Sequence, residues 1–423
     1  MANDGLIVGL DIGSTKVCAV IGERGENGTI EITGVGLCPS TGMRKGVVVN
    51  IEATLRAARE AVEAAQMMSG RDVDSCWTGI GGSHIDGINS RGVVAVTGKD
   101  RELREIDADD IARVLEAARA VVIPMDRQVL EVIPQSYIVD DHKGIKDPLD
   151  MIGVRLEAEV HIITCSVTSA QNLIKCVNRA GYYVKDLVLQ SLAAGRAALT
   201  EEEKDLGVAL IDIGGGTTEM LVYCDGAPYS TVTIPVGGGQ VTGDISLLKN
   251  ISFEAAERIK IEAGSCVEGM DDSDDDIIVP GVGGRAPMPI PRSQILAIIQ
   301  PRMEEIFKMA KEKLDRISLS RPLGAGIVLT GGGAQLLGAA ELASRVFKMP
   351  VRIGSPIPGG VLSGGLVEEY RNPVYSTAIG LVLEGFNRQA KQSPERNGEG
   401  RPREKGAPDV LQRFKDWLGK EFF

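Results

Sequence analysis

Two stretches of the 423-residue chain carry the same arrangement of residues that could do chemistry. In each, an apolar run ends in Asp-Ile-Gly and hydroxyl-bearing residues follow; the aspartates are Asp11 and Asp212. Glycine lets backbone amides approach a phosphate closely, and hydroxyl and ammonium groups supply further donors. A carboxylate at the same place can hold Mg²⁺, usually through water, because this ion dehydrates reluctantly. The pattern predicts two phosphate-binding turns.

One such turn alone could be an ordinary hairpin, but two in equivalent positions indicate an internal duplication. Two homologous α/β halves would then face each other across a cleft and grip the phosphates from both sides. The predicted phosphate-binding residues are Asp11, Gly13, Ser14, Thr15 and Lys16 in the first turn, and Asp212, Gly214, Gly215, Gly216, Thr217 and Thr218 in the second. We expect Asp11 and Asp212 to hold the Mg²⁺ ion.

A third glycine turn follows the predicted strand at 327–329. Gly331, Gly332 and Gly333 would let a nucleoside lie flat against the backbone, where a side chain would clash. Glu257 and Lys260 are three residues apart and so share one helix face. A surface ion pair is the common fate of such residues, but facing a cleft they would bind ribose and adenine. We assign these five residues to adenosine binding.

The composition limits the class of protein. Asp and Glu number 58 against 46 Lys and Arg, a net charge of −12, which argues against general nucleic-acid binding. Hydrophobic residues make up 43% and charged residues 25%, as in ordinary globular proteins. No run approaches the ~20 apolar residues of a spanning helix.

Around these turns, apolar strand patterns alternate with helical periodicity, which is typical of an α/β fold. Between residues 84 and 157 the sequence becomes charge-rich, and this stretch is interpreted as an insertion. The predicted units are a first lobe (1–83 and 158–204), the inserted subdomain (84–157), a second lobe (205–244 and 315–387, the latter returning to the first lobe), its smaller subdomain (245–314), a disordered linker (388–408) and a C-terminal helix (409–423).

The C-terminal segment places its apolar residues on one helical face, which includes Phe414, Trp417, Leu418 and Phe422. Docking on the protein's own core is one interpretation. The preceding linker and the bulky aromatic residues favour a helix that lies in the membrane interface.

The order of motifs LDIGSTK, QSLAAGRAAL, LIDIGGGTTEM, AAERIK, LTGGGAQLLG and STAIGLVLE resembles the actin and heat-shock-chaperone ATPase superfamily over residues 5–386. The stretches MRKGVVVNIE and IPRSQILAIIQPR, the insertion, and the linker with its aromatic helix resemble the bacterial actin-like FtsA family of cell-division proteins. This resemblance implies a two-lobed, duplicated α/β fold with an inserted small α+β subdomain and a C-terminal amphipathic helix.

The resemblance also implies that ATP and Mg²⁺ bind in the cleft. Gln190 stands where hydrolases of the superfamily keep a polar residue that orients water. A glutamine can position water but is a poor general base, so hydrolysis would be slow and ATP would act mainly in assembly.

The resemblance further implies that the protein forms filaments at the cytoplasmic face of the membrane, at the division site. It would attach to lipid through the C-terminal helix. The smaller subdomain would receive the C-terminal peptide of the tubulin-like FtsZ near Arg285, Arg292 and Arg302, although solvated surface positions are an equal interpretation of these arginines. Other division proteins would also bind. A type IV pilus assembly adaptor and a small-molecule kinase of the superfamily remain alternatives.

Overall fold

The computed structural model describes residues 5–25, 28–96, 103–270, 276–279, 287–319, 321–357, 362 and 368–392. The Arg285 position and the C-terminal segment 393–423 lie outside these ranges. The strands are β1 Leu6–Ile12, β2 Lys16–Arg24, β3 Ile30–Pro39, β4 Met43–Arg44, β5 Val47–Val48, β6 Ser75–Ile80, β7 Asp86–Ala95, β8 Arg104–Glu105, β9 Arg127–Val139, β10 His142–Ile145, β11 Ile152–Gly153, β12 Arg155–Ser166, β13 Tyr183–Leu189, β14 Val208–Ile213, β15 Thr218–Cys224, β16 Ala227–Ile234, β17 Ile277–Val279, β18 Met288–Ile290, β19 Gly326–Thr330 and β20 Val351–Ile353.

The helices connect and cover these strands. They are α1 Ile51–Ser69, α2 Ala108–Arg119, α3 Val167–Ala180, α4 Gln190–Ala198, α5 Glu201–Leu206, α6 Gly238–Lys249, α7 Phe253–Ala263, α8 Arg292–Asp315, α9 Ala339–Phe347 and α10 Ser376–Gln392. Among the described residues, no helix is long and apolar enough to cross a membrane.

The duplication seen in the sequence is a duplication of sheets. The first sheet has the order β13-β6-β1-β2-β3 and the second the order β16-β15-β14-β19-β20. In both, the strand that ends in Asp-Ile-Gly pairs with the next strand antiparallel and with a strand on its other side parallel. Both predicted phosphate turns are therefore the tight connections of equivalent hairpins.

Small residues allow close packing around the first sheet. The buried face of α1 is rich in alanine, and it lies so close to β3 that a Cβ on Gly36 would overlap the carbonyl of Ala61. On the opposite side, α10 packs on α4 and β1, where a Cβ on Gly9 would overlap the carbonyl of Ala378. The last described helix thus returns to the first lobe and covers the strand that leads into the first turn.

The insertion is a four-stranded sheet of order β10-β9-β12-β7, with α2 packed on it. Its entry and exit are neighbours, because Asp86 at the start of β7 pairs with Thr164 near the end of β12. Strand β12 is continuous, so the predicted boundary at 157 falls within it. The continuity has a physical reason: Ile163 and Cys165 at its far end are buried in the core of the first lobe. The unit boundaries otherwise stay a prediction.

The inserted sheet also contacts the second lobe along β16. Gln135 Nε2 donates to the Pro228 carbonyl at 3.0 Å, and Asn89 Nδ2 donates to the Tyr229 carbonyl at 3.1 Å. His161, which is 1% exposed, lies 2.9 Å from the Thr231 hydroxyl through Nε2. The insertion therefore bridges both lobes.

Candidate functional site

The two predicted phosphate turns have the same internal geometry. The amide of Gly13 donates to the Lys16 carbonyl at 2.9 Å, and the amide of Gly214 donates to the Thr217 carbonyl at 3.0 Å. Each bond closes a turn of the same length at the end of its central strand. The duplicated motif is thus two copies of one local structure.

The turns face each other at contact distance. A Cβ on Gly215 would overlap the side chain of Thr15, and a Cβ on Gly216 would lie 2.5 Å from Ser14 Oγ. Only glycine permits this approach, which places Ser14 and Thr15 of the first lobe directly against the second turn.

In the first lobe, the carboxylate of Asp11 contacts two other polar side chains of the cleft. Gln190 Nε2, at the start of α4, donates to Asp11 Oδ1 at 2.7 Å. Lys16 Nζ is 3.7 Å from Asp11 Oδ2 and donates to the carbonyl of Val374 at 2.6 Å. The lysine ammonium is therefore held in the cleft, beside the carboxylate.

Asp212 is the counterpart in the second lobe. Its Oδ2 accepts a hydrogen bond from the Thr377 hydroxyl at 3.2 Å. Burial in the cleft, together with the charge of Asp11, raises the pKa of Asp212 to about 6. A cation bound between the two facing carboxylates would stabilise both charges.

Glu219, which follows the two threonines of the second turn, was not predicted from the sequence. It is opposite Asp212 across the β14–β15 ladder and is 6% exposed. Burial, and then the charge of Asp212, raise the pKa of Glu219 to about 8. The strand register was the signal that could have found it, since Asp and Glu flank the turn at paired positions.

These residues line one cleft, and most of the predicted site is among them. The described lining residues are Asp11, Ile12, Gly13, Ser14, Thr15, Lys16, Gly46, Gln190, Asp212, Gly214, Gly215, Gly216, Thr217, Glu219, Gly331, Gly332, Val374 and Thr377. Within the described residues, no group of three or more His, Cys, Asp or Glu side chains is arranged to hold a metal ion.

Four predicted residues lie outside that lining. Thr218 is buried and donates its hydroxyl to the Val236 carbonyl at 2.8 Å, and Gly333 packs against the side chain of Ile213. Glu257 and Lys260 are the other two.

Glu257 and Lys260 form a cluster behind the second turn. Lys260 Nζ contacts Glu257 Oε2 at 2.8 Å, the Thr242 hydroxyl at 2.9 Å and the Gly238 carbonyl at 3.3 Å. The amide of Gly238 donates in turn to the Gly214 carbonyl at 2.8 Å. The pair is therefore not a freely solvated surface ion pair. It supports the segment that packs on the second turn, and its role in adenosine binding stays a prediction.

Two of the predicted partner-binding arginines, Arg292 and Arg302, are on α8, and Arg285 lies outside the described residues. Arg292 is the first residue of α8. Arg302 forms ion pairs with Asp244, 2.6 Å from its Nε, and with Glu305. Their role in partner binding stays a prediction.

Comparison with known proteins identifies the family. A family model described as "Cell division protein FtsA" matches residues 209–380, and one described as "SHS2 domain inserted in FTSA" matches residues 82–164. A Pseudomonas aeruginosa "Cell division protein FtsA" is 42% identical over 99% of this chain and 98% of that relative. A Borreliella burgdorferi protein of the same name is 44% identical over 99% of both chains. The chain belongs to the FtsA family.

Solved structures of other proteins share the fold. The "PilM-PilN type IV pilus biogenesis complex" matches with a TM-score of 0.63 and 18% identity, over 90% of this chain and 98% of that one. The structure of MreB 5 of Spiroplasma citri bound to AMPPNP matches with a TM-score of 0.54 and 14% identity, over 92% and 97%. At this identity the likeness concerns the fold alone. The predicted actin-like, two-lobed α/β fold with an inserted subdomain is confirmed.

Proposed function

We propose that the protein binds ATP with Mg²⁺ in the cleft, polymerises on the cytoplasmic face of the membrane at the division site, and tethers the FtsZ ring there. The observation that carries the nucleotide part is the contact between the two turns, Gly215 on Thr15 and Gly216 on Ser14. Glycine, serine and threonine residues of both turns line the same cleft, which suits a chain of phosphates.

The donor set of the cleft fits Mg²⁺. Asp11 and Asp212 are carboxylates on facing turns, and this ion prefers oxygen ligands and keeps several waters. They would hold the ion through water, and the bound ion would neutralise charge on the phosphates. Lys16, whose ammonium is fixed by the Val374 carbonyl, adds a second positive charge from the first lobe.

Gln190 would orient water in this cleft, with little basicity of its own. Its Nε2 is engaged with Asp11, and its Oε1 lies against the backbone of Gly81, where a Cβ would overlap it. An amide fixed in this way cannot accept a proton from water as a carboxylate can. Hydrolysis is therefore slow, and bound ATP acts chiefly on assembly.

The membrane part rests on the family relationship and on the sequence of the C-terminal segment. A helix that buries one apolar face, including Phe414, Trp417, Leu418 and Phe422, attaches reversibly because ordering the segment opposes binding. Filaments present many such helices at high effective concentration, which strengthens attachment greatly. Assembly and membrane binding are coupled in this way.

The groove between α8 and α9 is suited to the acidic and apolar C-terminal peptide of FtsZ. It is lined by Gln300, Glu304, Lys308, Lys311, Leu342, Arg345 and Val346, so that cations flank an aliphatic floor. The groove lies beside the smaller subdomain. Its Lys308 and Lys311 pair with Glu304 and Asp315, as Arg302 pairs with Asp244 and Glu305, so a peptide carboxylate would compete with these pairs.

Co-sedimentation with anionic liposomes tests the proposal. With ATP and Mg²⁺ we expect the wild-type protein to pellet with liposomes and to form filaments visible by electron microscopy. Asp212→Ala should weaken ATP binding in calorimetry and reduce filaments, because it removes one of the two facing carboxylates. Trp417→Glu should abolish liposome binding and leave ATP binding unchanged, because it places a charge on the apolar face.

Three results would contradict separate parts. Equal ATP affinity in wild type and Asp212→Ala would remove the cleft as the nucleotide site. Flotation of Trp417→Glu at the wild-type level would show that the C-terminal helix is not the anchor. Phosphorylation of a sugar or small acid by the wild-type protein would favour the kinase alternative.

A further inference from the structure

Glu219 forms a contact between the lobes that nucleotide binding alone does not require. Its Oε1 accepts a hydrogen bond from the amide of Gly82 at 2.8 Å, in a buried position. Glu219 is at the start of β15, in the second lobe, whereas Gly82 follows β6 in the first lobe. The bond therefore ties the second phosphate turn to the end of a strand in the opposite lobe.

The backbone at Gly81 and Gly82 lies in close contact with cleft residues. A Cβ on Gly81 would overlap both Gln190 Oε1 and Glu219 Oε1. Gly82 has a φ of +117°, a region that favours glycine, and its Cβ would come within 2.6 Å of Gly46 Cα. This segment cannot shift without displacing side chains that line the cleft.

The same segment leads directly into the insertion. The amide of Ile85 donates to the Gly82 carbonyl at 3.0 Å, and β7 begins at the next residue. Arg127, at the start of β9, donates to the His84 carbonyl at 3.0 Å and to the Thr164 hydroxyl near the end of β12 at 2.9 Å. The turn 82–85 is thus bonded to three strands of the inserted sheet, which would follow its movement as a unit.

We propose that Glu219 is a positioning residue that couples the nucleotide bound in the cleft to the conformation of the inserted subdomain, through its hydrogen bond with the amide of Gly82. This inference rests on the proposed nucleotide site and adds regulation to it. The side chain of Glu219 lies opposite Asp212 in the strand ladder, where a bound cation and phosphate oxygens would contact its polar oxygens, so a triphosphate and a diphosphate hold it differently. A ligand shifts a conformational equilibrium only by such a difference in interaction. The resulting structural change is a shift in the position of the turn 82–85 and, through Arg127, of β9 and β12.

Hydrogen–deuterium exchange of the full-length protein, saturated with either Mg²⁺–AMPPNP or Mg²⁺–ADP, tests the coupling. We expect exchange in 82–88 and in the first residues of β9 to differ by roughly two- to tenfold between the nucleotides, the factor that one hydrogen bond is worth. Glu219→Ala should abolish this difference, and Glu219→Gln, whose amide oxygen can still accept from Gly82, should restore most of it.

Two further variants distinguish a loss of the coupling from damage to the nucleotide-binding cleft. Arg127→Leu leaves every cleft residue in place, and it should keep the difference at 82–85 while reducing it in the first residues of β9, where only the link through β7 and β12 remains. Glu157→Gln, which alters a buried glutamate within the insertion that pairs with Arg91, is the matched control and should behave as wild type.

Calorimetry on the same samples distinguishes the two levels of failure. If the wild-type protein binds no nucleotide, the proposed function fails and the coupling with it. If it binds both nucleotides and the inserted strands exchange equally in both, only the coupling is overturned. A full-sized difference in Glu219→Ala, or its loss in Glu157→Gln but not in Arg127→Leu, also overturns it.

Discussion

Gly332 and Gly333 are adjacent in sequence and have opposite surroundings. A Cβ on Gly332 would meet no atom within 4 Å and would enter the cleft, whereas one on Gly333 would overlap the side chain of Ile213. We expect Gly332→Val to lower ATP affinity roughly tenfold or more through overlap with the ligand, a cost above ~1.4 kcal/mol. Its melting temperature should match wild type.

Gly333→Val is the matched control, and thermal unfolding with calorimetry compares the two. It should destabilise the fold by about 1–3 kcal/mol through overpacking. Unchanged ATP affinity in Gly332→Val would place the nucleoside elsewhere.

His161 makes the contact of the insertion with the second lobe sensitive to acid. Burial lowers the pKa of His161 to about 4, an effect that the charge of Asp86 partly offsets. The unfolded chain therefore binds the proton first as pH falls below about 6.5, so the free energy of unfolding decreases and the loss is complete only below about pH 4.

The pH dependence can be isolated with His161→Gln, which keeps a polar group but does not titrate. From about pH 7.5 to about pH 5, wild type should lose about 2 kcal/mol more of its unfolding free energy in urea than the variant loses. Equal losses would show that His161 is accessible to protons in the folded protein.

The sequence was sufficient to place the paired turns and their glycines, because the hydroxyl and glycine pattern is local. It was not sufficient to predict Glu219 or Thr377 as site residues. Thr377 is at the start of α10, far from Asp212 in the chain, and contacts it only in the folded protein. Residues that join a site through strand register or a distant helix leave no spacing pattern.

Among the elements, α10 carries an arginine that joins it by ion pairs to two other parts of the molecule. Arg388 donates to Glu131 on β9 at 2.7 Å, to Asp186 on β13 at 2.9 Å and to Glu384 on α10 at 2.7 Å. This cluster joins the insertion, the first lobe and the last described helix. Loss of the cation would leave three carboxylates facing one another, with burial already raising the pKa of Glu131.

We expect Arg388→Met to reduce the free energy of unfolding by about 3 kcal/mol, as expected when one partner of a largely buried ion pair is removed. Arg179→Met, which breaks the exposed pair with Glu52, is the control and should cost less than about 1 kcal/mol. Urea unfolding of both variants measures this, and equal costs would mean that the Arg388 cluster contributes no more than a surface pair.

Element boundaries were predictable where apolar runs end in glycine turns, as at β1 and β14. They were not predictable for β12, whose residues from Leu156 to Ile162 alternate into the core of the insertion, whereas Ile163 and Cys165 enter that of the first lobe. An alternating pattern does not show which of two cores each face of a strand enters.

At the scale of the whole molecule, the insertion is attached to the first lobe by two adjacent strands. Because Asp86 pairs with Thr164, residues 87–163 can be replaced by a short Asn-Gly turn, which suits a two-residue hairpin. Deletion of 84–157 would instead leave the end of β12 without its partner strands. The contact of the insertion with β16 was not predictable from the sequence, since it joins distant parts of the chain through single polar groups.

The protein without 87–163 should fold and bind ATP, because the cleft residues from Asp11 to Gly82 and from Gln190 onward remain. Its stability should fall, since Leu130, Ile133 and Ile163 pack against the first-lobe core. We propose that the insertion contributes the assembly surface, so this protein should form no filaments with ATP. Calorimetry measures the ATP binding, and electron microscopy detects the filaments. Filaments of normal appearance would place the assembly surface on the two lobes instead.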